Sequence, residues 1–240
     1  MLQTRLSAER GGADHGWLKA LHSFSFSSYY DPAHMGFSAL RVINEDRIAP
    51  TMGFGTHGHQ DMEIITYVLE GELSHKDSMG NQAAILSGQV QKMSAGRGVR
   101  HSEFNSSDTT TTHLLQIWIE PNVNGIEPEY EQQNLTDLPQ YDGWRAIAAP
   151  KGEWLGRSGA FRLYQDAVFL VAHHADGTQS RDYVLGEKRA AYVHIATGNA
   201  VVNGLSLSAG DAVKIWDEAA VSIEMGDNAQ VLLFDLPKDA

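Results

Sequence analysis

Short apolar runs that alternate with polar residues dominate this sequence of 240 residues, and clusters of Gly, Asn, Asp and Ser separate them. The clearest runs cover residues 38–43, 63–69, 83–86, 113–119, 161–172, 191–195, 212–216 and 230–236. A period of two places every second side chain on one face of a strand, and closely spaced turns favour antiparallel pairing. The pattern predicts an all-β fold, a sandwich or barrel with few and short helices.

The chain divides near its middle. Prolines interrupt the strand pattern there, at Pro121, Pro128 and Pro139. The halves on either side are both rich in strand patterns, and similar glycine-bearing hairpins occur at 86–90 and 207–211, which hints at a duplication. We expect two tandem β-barrel domains, residues 1–135 and 136–240, and one short helix around 16–22.

Composition removes several classes of function. Cysteine is absent, which excludes disulfides, thiolate metal ligands and cysteine nucleophiles. Eighteen Lys and Arg against 30 Asp and Glu give a net charge of −12, so we expect no direct binding to nucleic acid or to anionic membranes. Neither a signal-peptide pattern nor an apolar stretch of about 18 residues occurs. We therefore expect a cytoplasmic protein, and we expect it to be a monomer.

Two short motifs carry metal-binding residue types. The first contains His57 and His59, and the second contains His101 and Glu103. Residues two apart in a strand project from the same face, so each pair can turn towards one ion. Neighbouring strands that brought the pairs together would supply three imidazole nitrogens and one carboxylate oxygen, a donor set that divalent metals accept.

A single His-x-His motif carries little weight. Eleven histidines in 240 positions give about 0.5 such pairs by chance, and exposed imidazoles in a glycine-rich loop would look the same. The second motif strengthens the interpretation because it follows about 40 residues later, again with period two and again after a Gly-x-Gly turn. Those glycines allow a backbone to pack closely beside the site.

The sequence around these residues resembles the paired motifs of cupins, and more narrowly the pirin family. The resemblance covers nearly the whole chain and is densest up to about residue 130. It is closest to bacterial pirin-like proteins described as quercetinases. The matching segments are residues 22–26, 29–32, 40–44, 66–71, 77–81, 93–96, 116–119, 215–218 and 232–237.

The resemblance implies a bicupin with one metal in its N-terminal barrel, held by the residues that match His57, His59, His101 and Glu103. Iron(II) is the expected ion, and manganese, nickel, cobalt, copper and zinc are alternatives. In most cupins, however, the carboxylate ligand follows the first histidine pair, which would correspond to Glu63. We expect Glu103, because it lies two residues from a ligand that already points inward, and we keep Glu63 as the alternative.

The function that the resemblance implies is a metal-dependent dioxygenase that cleaves the flavonol quercetin with dioxygen and releases carbon monoxide. Coordination of the enolic hydroxyl would favour its deprotonated form, and Glu103 would accept the proton as general base. The alternative is a metal-dependent regulatory module that binds a protein partner, with dioxygenase activity as a side reaction. Given the net charge, such regulation would act through protein contact and not through DNA.

The remaining histidines are weaker candidates. His173 and His174 are adjacent, so in a strand they point to opposite faces and chelate poorly. His194 stands alone in an apolar run, where a core or interface role fits, and we expect the second domain to hold no metal. His22, His34 and His75 lie in or beside turns, and we expect them to face solvent.

Overall fold

The structure is a computed structural model, and it describes residues 1–173 and 179–238. It is almost entirely β. Two short 3-10 helices, Ser7–Glu9 and Leu135–Asp137, are the helical segments of the described residues. No helix there is long and apolar enough to cross a bilayer. The all-β prediction is confirmed.

The described chain contains twenty-five strands. The first twelve are β1 (Leu2–Arg5), β2 (Gly11–Asp14), β3 (Leu18–His22), β4 (Leu40–Ile48), β5 (Gly53–His59), β6 (Glu63–Glu70), β7 (Glu72–Asp77), β8 (Gln82–Leu86), β9 (Gln89–Ser94), β10 (Val99–Phe104), β11 (Thr112–Ile119) and β12 (Glu129–Asn134). The others are β13 (Gln140–Tyr141), β14 (Trp144–Pro150), β15 (Glu153–Trp154), β16 (Arg157–Ser158), β17 (Phe161–Leu163), β18 (Val168–His173), β19 (Gln179–Val184), β20 (Arg189–Thr197), β21 (Asn199–Val202), β22 (Leu205–Ser208), β23 (Ala212–Trp216), β24 (Ala220–Met225) and β25 (Gln230–Pro237).

Two compact units divide the chain. The N-terminal unit comprises Gly11–Gly36 and Leu40–Asp137, and the C-terminal unit comprises Met1–Arg10, Phe37–Ala39 and Leu138–Ala240. The division expected from the sequence assigns residues 1–135 to the first domain. The contacts instead group the first ten residues with the second unit, because β1 pairs with β23. A sequence pattern cannot show that exchange, since it depends on a partner strand about 200 residues away.

The N-terminal unit consists of two sheets around one core. The larger sheet has the order β12-β9-β6-β11-β4-β3-β2, and the smaller has the order β5-β10-β7-β8. Apolar residues from both sheets meet between them, including Val68 and Leu114 from the larger sheet and Leu73 and Ile85 from the smaller. This arrangement leaves the faces of β5 and β10 opposite the inner face of the larger sheet, where a cavity lies.

The C-terminal unit repeats the same plan with an apolar filling. Its larger sheet runs β1-β23-β20-β25-β18-β14-β13, with β17 beside β14, and its smaller sheet runs β19-β24-β21-β22. Both sheets contribute to one large apolar cluster, for example through Val193, Leu233 and Ile223. The prediction of two tandem barrels is confirmed.

Two details of the strand prediction are wrong. Residues 16–22 do not form a helix, because β3 pairs with β2 and β4 and its residues Leu18, Ala20 and His22 are buried in alternation. The run 161–172 is not one strand. It is split into β17, which pairs parallel to β14, and β18, which pairs antiparallel to the same strand.

Gly53 allows β5 and β10 to approach closely. A Cβ atom on Gly53 would lie 2.2 Å from the carbonyl oxygen of Glu103 and 2.6 Å from Cα of Phe104. Both are backbone atoms, which cannot swing aside like the end of a flexible side chain. Gly55, on the same strand, would meet no atom within 4 Å, so the two glycines differ in what they require.

We therefore expect Gly53→Ala to lower the free energy of unfolding of the metal-free protein by about 2 kcal/mol, the usual size of an overpacking penalty. Gly55→Ala is the matched control and should stay within about 0.5 kcal/mol of the original protein. Urea unfolding followed by fluorescence measures both values. Equal effects of the two substitutions would contradict this account of the strand contact.

Candidate metal centre

Two neighbouring strands, β5 and β10, bring the predicted histidines together. The strands pair antiparallel, and their register places His101 directly opposite His57. His59 follows His57 by two residues, so strand alternation turns both side chains to the same face. A β-bulge between His101 and Glu103 shifts the register beyond the histidines. On its other side β10 pairs with β7. The site therefore combines the edge strand β5 with the inner strand β10 of the smaller sheet.

The ring nitrogens of the three histidines converge. Nε2 of His57 and Nε2 of His59 each lie 3.0 Å from Nε2 of His101. A ring nitrogen has either one proton or one lone pair, so this atom of His101 cannot satisfy both neighbours by hydrogen bonding. Two nitrogens about 2.1 Å from one cation, at right angles, stand roughly 3.0 Å apart. The spacing therefore fits a shared ion.

The protonation states also suit metal binding. Nδ1 of His57 donates a hydrogen bond to the carbonyl oxygen of Gly55 at 2.9 Å, which leaves the lone pair on Nε2. Burial, with the charge of His57 as a smaller cause, lowers the pKa of His59 to about 4. Burial and the neighbouring histidines lower the pKa of His101 to about 3. Both imidazoles are therefore neutral at pH 7, the form that binds a metal.

Glu103 supplies a carboxylate beside His101 and His75, in a group separate from that of His57, His59 and His101. Its side chain is buried, and Nε2 of Gln116 donates to both of its oxygens, at 3.3 and 3.4 Å. Burial raises the pKa of Glu103 to about 7, and the hydrogen bond from Gln116 acts in the opposite direction. Potential ligand atoms of Glu103, His101 and His75 lie within 4.8 Å of one another. Imidazole with carboxylate is a donor set that suits Fe(II), Mn(II), Ni(II) and Co(II).

Gln116 belongs to a polar row that crosses the inner face of the larger sheet. In register, neighbouring strands contribute His22, Asn44, Gln116, Thr66 and Gln91. Oγ1 of Thr66 donates to Oε1 of Gln116 at 3.0 Å. Because that bond occupies the carbonyl end of the amide, it turns the amide nitrogen of Gln116 towards Glu103. The row thus orients the Glu103 carboxylate from the opposite sheet.

Glu63, the alternative carboxylate, has different neighbours. Its Oε2 lies 3.3 Å from Nζ of Lys92 and accepts a hydrogen bond from Oγ of Ser94 at 3.1 Å. The side chains of Glu63 and Lys92 are almost fully buried. Among the described residues, Glu63 is in neither of the two groups whose ligand atoms converge. These contacts describe a buried ion pair inside the protein.

A cavity of about 230 Å³ opens in front of the cluster. Its walls combine the polar side chains of the site with apolar ones. The apolar lining consists of Leu18, Ala20, Phe26, Phe54 and Trp118. The ring of Trp118 packs edge-on against His59, with centroids 4.9 Å apart. Flat aromatic walls beside converging ligands make a site for a planar apolar molecule that carries a few oxygen atoms.

Comparison with known proteins identifies the family. Residues 3–119 match the Pirin family model, and residues 147–236 match the model of a quercetinase C-terminal cupin domain. A protein of Escherichia coli named quercetin 2,3-dioxygenase is 46% identical over 99% of both chains. The chain belongs to the pirin family. A pirin-like protein of Caulobacter vibrioides is 42% identical to this pirin over 94% of this chain and 95% of its own.

Solved structures show the same fold. The crystal structure of YhhW from Escherichia coli has a TM-score of 0.92 and 45% identity, over 99% of this pirin and 98% of YhhW. A second crystal structure, described as bacterial pirin YhhW in complex with nickel(II), has a TM-score of 0.91, the same identity and 99% coverage of both chains. The similarity therefore includes a relative that was crystallised with a transition metal.

The prediction that His22 and His75 face solvent is wrong, because both side chains are buried. His75 is buried, and not solvent-facing as we expected, because β7 lies inside the smaller sheet beside β10. Its Nε2 lies 3.0 Å from Oδ2 of Asp77. The spacing of His75 and Asp77 has the period of two that marks the other motifs, so that signal was present. His22 is likewise buried, with its Nδ1 2.8 Å from Oδ1 of Asn44.

The described histidines of the C-terminal unit, His173 and His194, do not form a similar group. His173 is exposed, His194 is fully buried in β20, and His174 lies outside the described residues. Within the described ranges, groups of three or more converging ligand residues occur in the N-terminal unit only. The chemistry of this pirin is therefore sought between β5, β10 and the larger N-terminal sheet.

Replacing Gln116 tests whether the polar row orients Glu103. Gln116→Leu removes the donor that holds the Glu103 carboxylate and favours its charged form, so nickel(II) affinity at pH 7 should fall roughly 10–100-fold. Gln91→Leu is the matched control, since Gln91 belongs to the same row without bonding Glu103, and it should change affinity less than about threefold. Competition titration with a chromophoric chelator measures both. Equal losses would show that the row acts only through stability.

Proposed function

We propose that this pirin is a quercetin 2,3-dioxygenase. In the reaction, one dioxygen molecule is incorporated into a flavonol, the central heterocycle opens, and one ring carbon leaves as carbon monoxide. The observation that carries the proposal is the meeting of three imidazoles at the wall of an apolar cavity that aromatic side chains line. The full-length similarity to proteins of that name supports it.

We further propose that His57, His59, His101 and Glu103 hold one divalent cation, with iron(II) as the native ion. The contacts of Glu63 support this choice, because Lys92 and Ser94 already neutralise and hydrogen-bond its carboxylate. When bound, the cation would act as a Lewis acid that lowers the pKa of a coordinated hydroxyl. The proposal assigns this chemistry to the N-terminal unit, with the C-terminal unit as a cupin domain without a metal site that contributes stability.

The side chains of the cavity have separate roles in this proposal. Phe26, Phe54 and Trp118 hold the flat ring system and exclude water from it. His59 and His101 remain neutral at pH 7, so their ring nitrogens can hold the ion. Glu103 has two carboxylate oxygens, and the one not used as a ligand can accept the proton of the enolic hydroxyl.

The pH dependence of metal binding distinguishes Glu103 from Glu63. Glu103 must lose its proton to bind a cation, so the nickel(II) dissociation constant should rise about tenfold per pH unit below its pKa of about 7 through this group. His59 and His101, with pKa values of about 4 and 3, add no slope between pH 5 and 7. Glu103→Gln should therefore flatten the slope by about one proton.

Glu63→Gln is the control for this measurement. The substitution removes the same charge from a buried carboxylate in the same unit, and it should leave the slope of the titration unchanged. If Glu63→Gln flattened the slope and Glu103→Gln did not, Glu63 would be the ligand. Isothermal titration between pH 5 and 8 provides both slopes.

Turnover tests the function directly. The protein is loaded without oxygen with iron(II), manganese(II), nickel(II), cobalt(II) or copper(II), then mixed with quercetin and dioxygen. We expect loss of the quercetin absorbance with an equal amount of carbon monoxide for at least one ion. His101→Ala should lower the rate at least about 100-fold, because it removes the nitrogen that both other histidines approach. His113→Ala is the control: His113 pairs with Glu45 outside the cluster, and this variant should retain the original rate. Absence of carbon monoxide with all five ions would refute the proposal.

A further inference from the structure

One carboxyl group in the cavity has no place in the proposed ligand set. Asp46 lies on β4, two residues after Asn44 and therefore on the same face of the strand. Its cross-strand neighbours are Ala20 and Leu114, and it lines the cavity together with His57, His59 and Glu103. The residue is only 5% exposed, so the cavity is its contact with the outside.

Among the described residues, Asp46 differs from the buried carboxylates Asp77 and Asp235 in that nothing hydrogen-bonds its carboxyl group. Asp77 accepts hydrogen bonds from Met79, Asn81 and His75, and Asp235 accepts them from Tyr183 and Arg189. Among the described residues, no hydrogen bond or ion pair reaches the carboxyl group of Asp46, and its charged neighbours Glu103 and Glu45 repel it. Burial, with these neighbours, raises the pKa of Asp46 to about 7.

A buried carboxyl group without a partner is costly, and the cost is relieved when a ligand supplies a donor. The remaining walls are mostly hydrocarbon and aromatic, which selects a planar aromatic ligand. Such a ligand bridges the histidines on the smaller sheet and Asp46 on the larger one. A hydroxyl group is the donor that an aromatic ligand of this class can present at a distance from its metal-binding oxygen.

We propose that Asp46 binds a second hydroxyl of the substrate, distinct from the enolic hydroxyl that faces the histidines, and that it makes the site selective for aromatic ligands with several hydroxyls. This inference rests on the proposed function, since it takes a flavonol as the ligand. It assigns Asp46 to substrate binding and specificity, and it requires no part in holding the ion.

Anaerobic binding of two flavonols tests the proposal. Quercetin has four hydroxyls besides the enolic one, whereas 3-hydroxyflavone has the enolic hydroxyl alone. With nickel(II)-loaded protein, Asp46→Asn should weaken quercetin binding about tenfold, the size of a lost charge-assisted hydrogen bond. The same variant should bind 3-hydroxyflavone within about twofold of the original protein. Asp46→Ala, which has no acceptor, should show the same preference at least as strongly.

Glu45→Gln is the matched control. It removes the same charge from the adjacent residue of β4, whose carboxylate pairs with His113 at 2.9 Å, and it should leave both dissociation constants unchanged. Nickel content of each variant is measured in parallel and should equal that of the original protein.

The outcomes separate this inference from the proposed function. Equal weakening of both flavonols, unchanged quercetin binding, or loss of nickel in Asp46→Asn would overturn the role of Asp46 even if the original protein released carbon monoxide. Selective weakening of quercetin binding would support that role even if the original protein bound the flavonol without turning it over, a result that would refute the dioxygenase. Failure of the original protein to bind quercetin would overturn both.

Discussion

The antiparallel register of β5 and β10 is the constraint on which the candidate metal centre depends. It places His57 opposite His101, and a slip of one residue would turn His101 to the opposite face of the sheet. The close backbone approach at Gly53 and the second pairing of β10 with β7 both oppose such a slip. The bulge after His101 then pairs Glu103 with Phe54. The Glu103 side chain lines the same cavity as the histidines.

Hydrogen-bond donors separate Asp77 from Glu103 and Asp46 among the buried carboxylates of the N-terminal unit. Burial raises the pKa of Asp77, yet hydrogen bonds from Asn81, His75 and Met79 lower it below its usual value overall. Glu103 receives donors from Gln116 only, and Asp46 receives none among the described residues, so burial raises the pKa of both to about 7. The donor-rich carboxylate is a permanent anion that fixes its surroundings. The donor-poor ones remain able to exchange protons or accept a ligand.

The sequence was informative where a local period decides the outcome. The spacing predicted that His57 shares a strand face with His59, and His101 with Glu103, but the apolar runs did not predict the strands β5 and β10 themselves. The pattern failed for residues 16–22, because the pairing of β3 with β2 and β4 overrides a weak helical signal. Spacing alone favoured Glu103 over Glu63. The sequence could not show the contacts of the two carboxylates with Lys92 and Gln116, which approach from other strands.

His75 and Asp46 show the same limit in another form. Both are polar residues in strands, and a sequence pattern cannot tell an inward-facing polar side chain from an outward-facing one. The structure buries His75 next to His101, with ring centroids 5.3 Å apart. It places Asp46 at a cavity that exists only when two sheets have packed.

The larger sheets of the two units differ in the side chains of one cross-strand row. In the larger sheet of the C-terminal unit, one row in register consists of Ala146, Leu170, Leu233, Val193 and Val213, all fully buried. The corresponding kind of row in the N-terminal unit is His22, Asn44, Gln116, Thr66 and Gln91. Oε1 of Gln91 has no hydrogen-bond partner among the described residues. A polar row that bonds Glu103 and borders a cavity is explained by a ligand, whereas the apolar row is explained by packing alone.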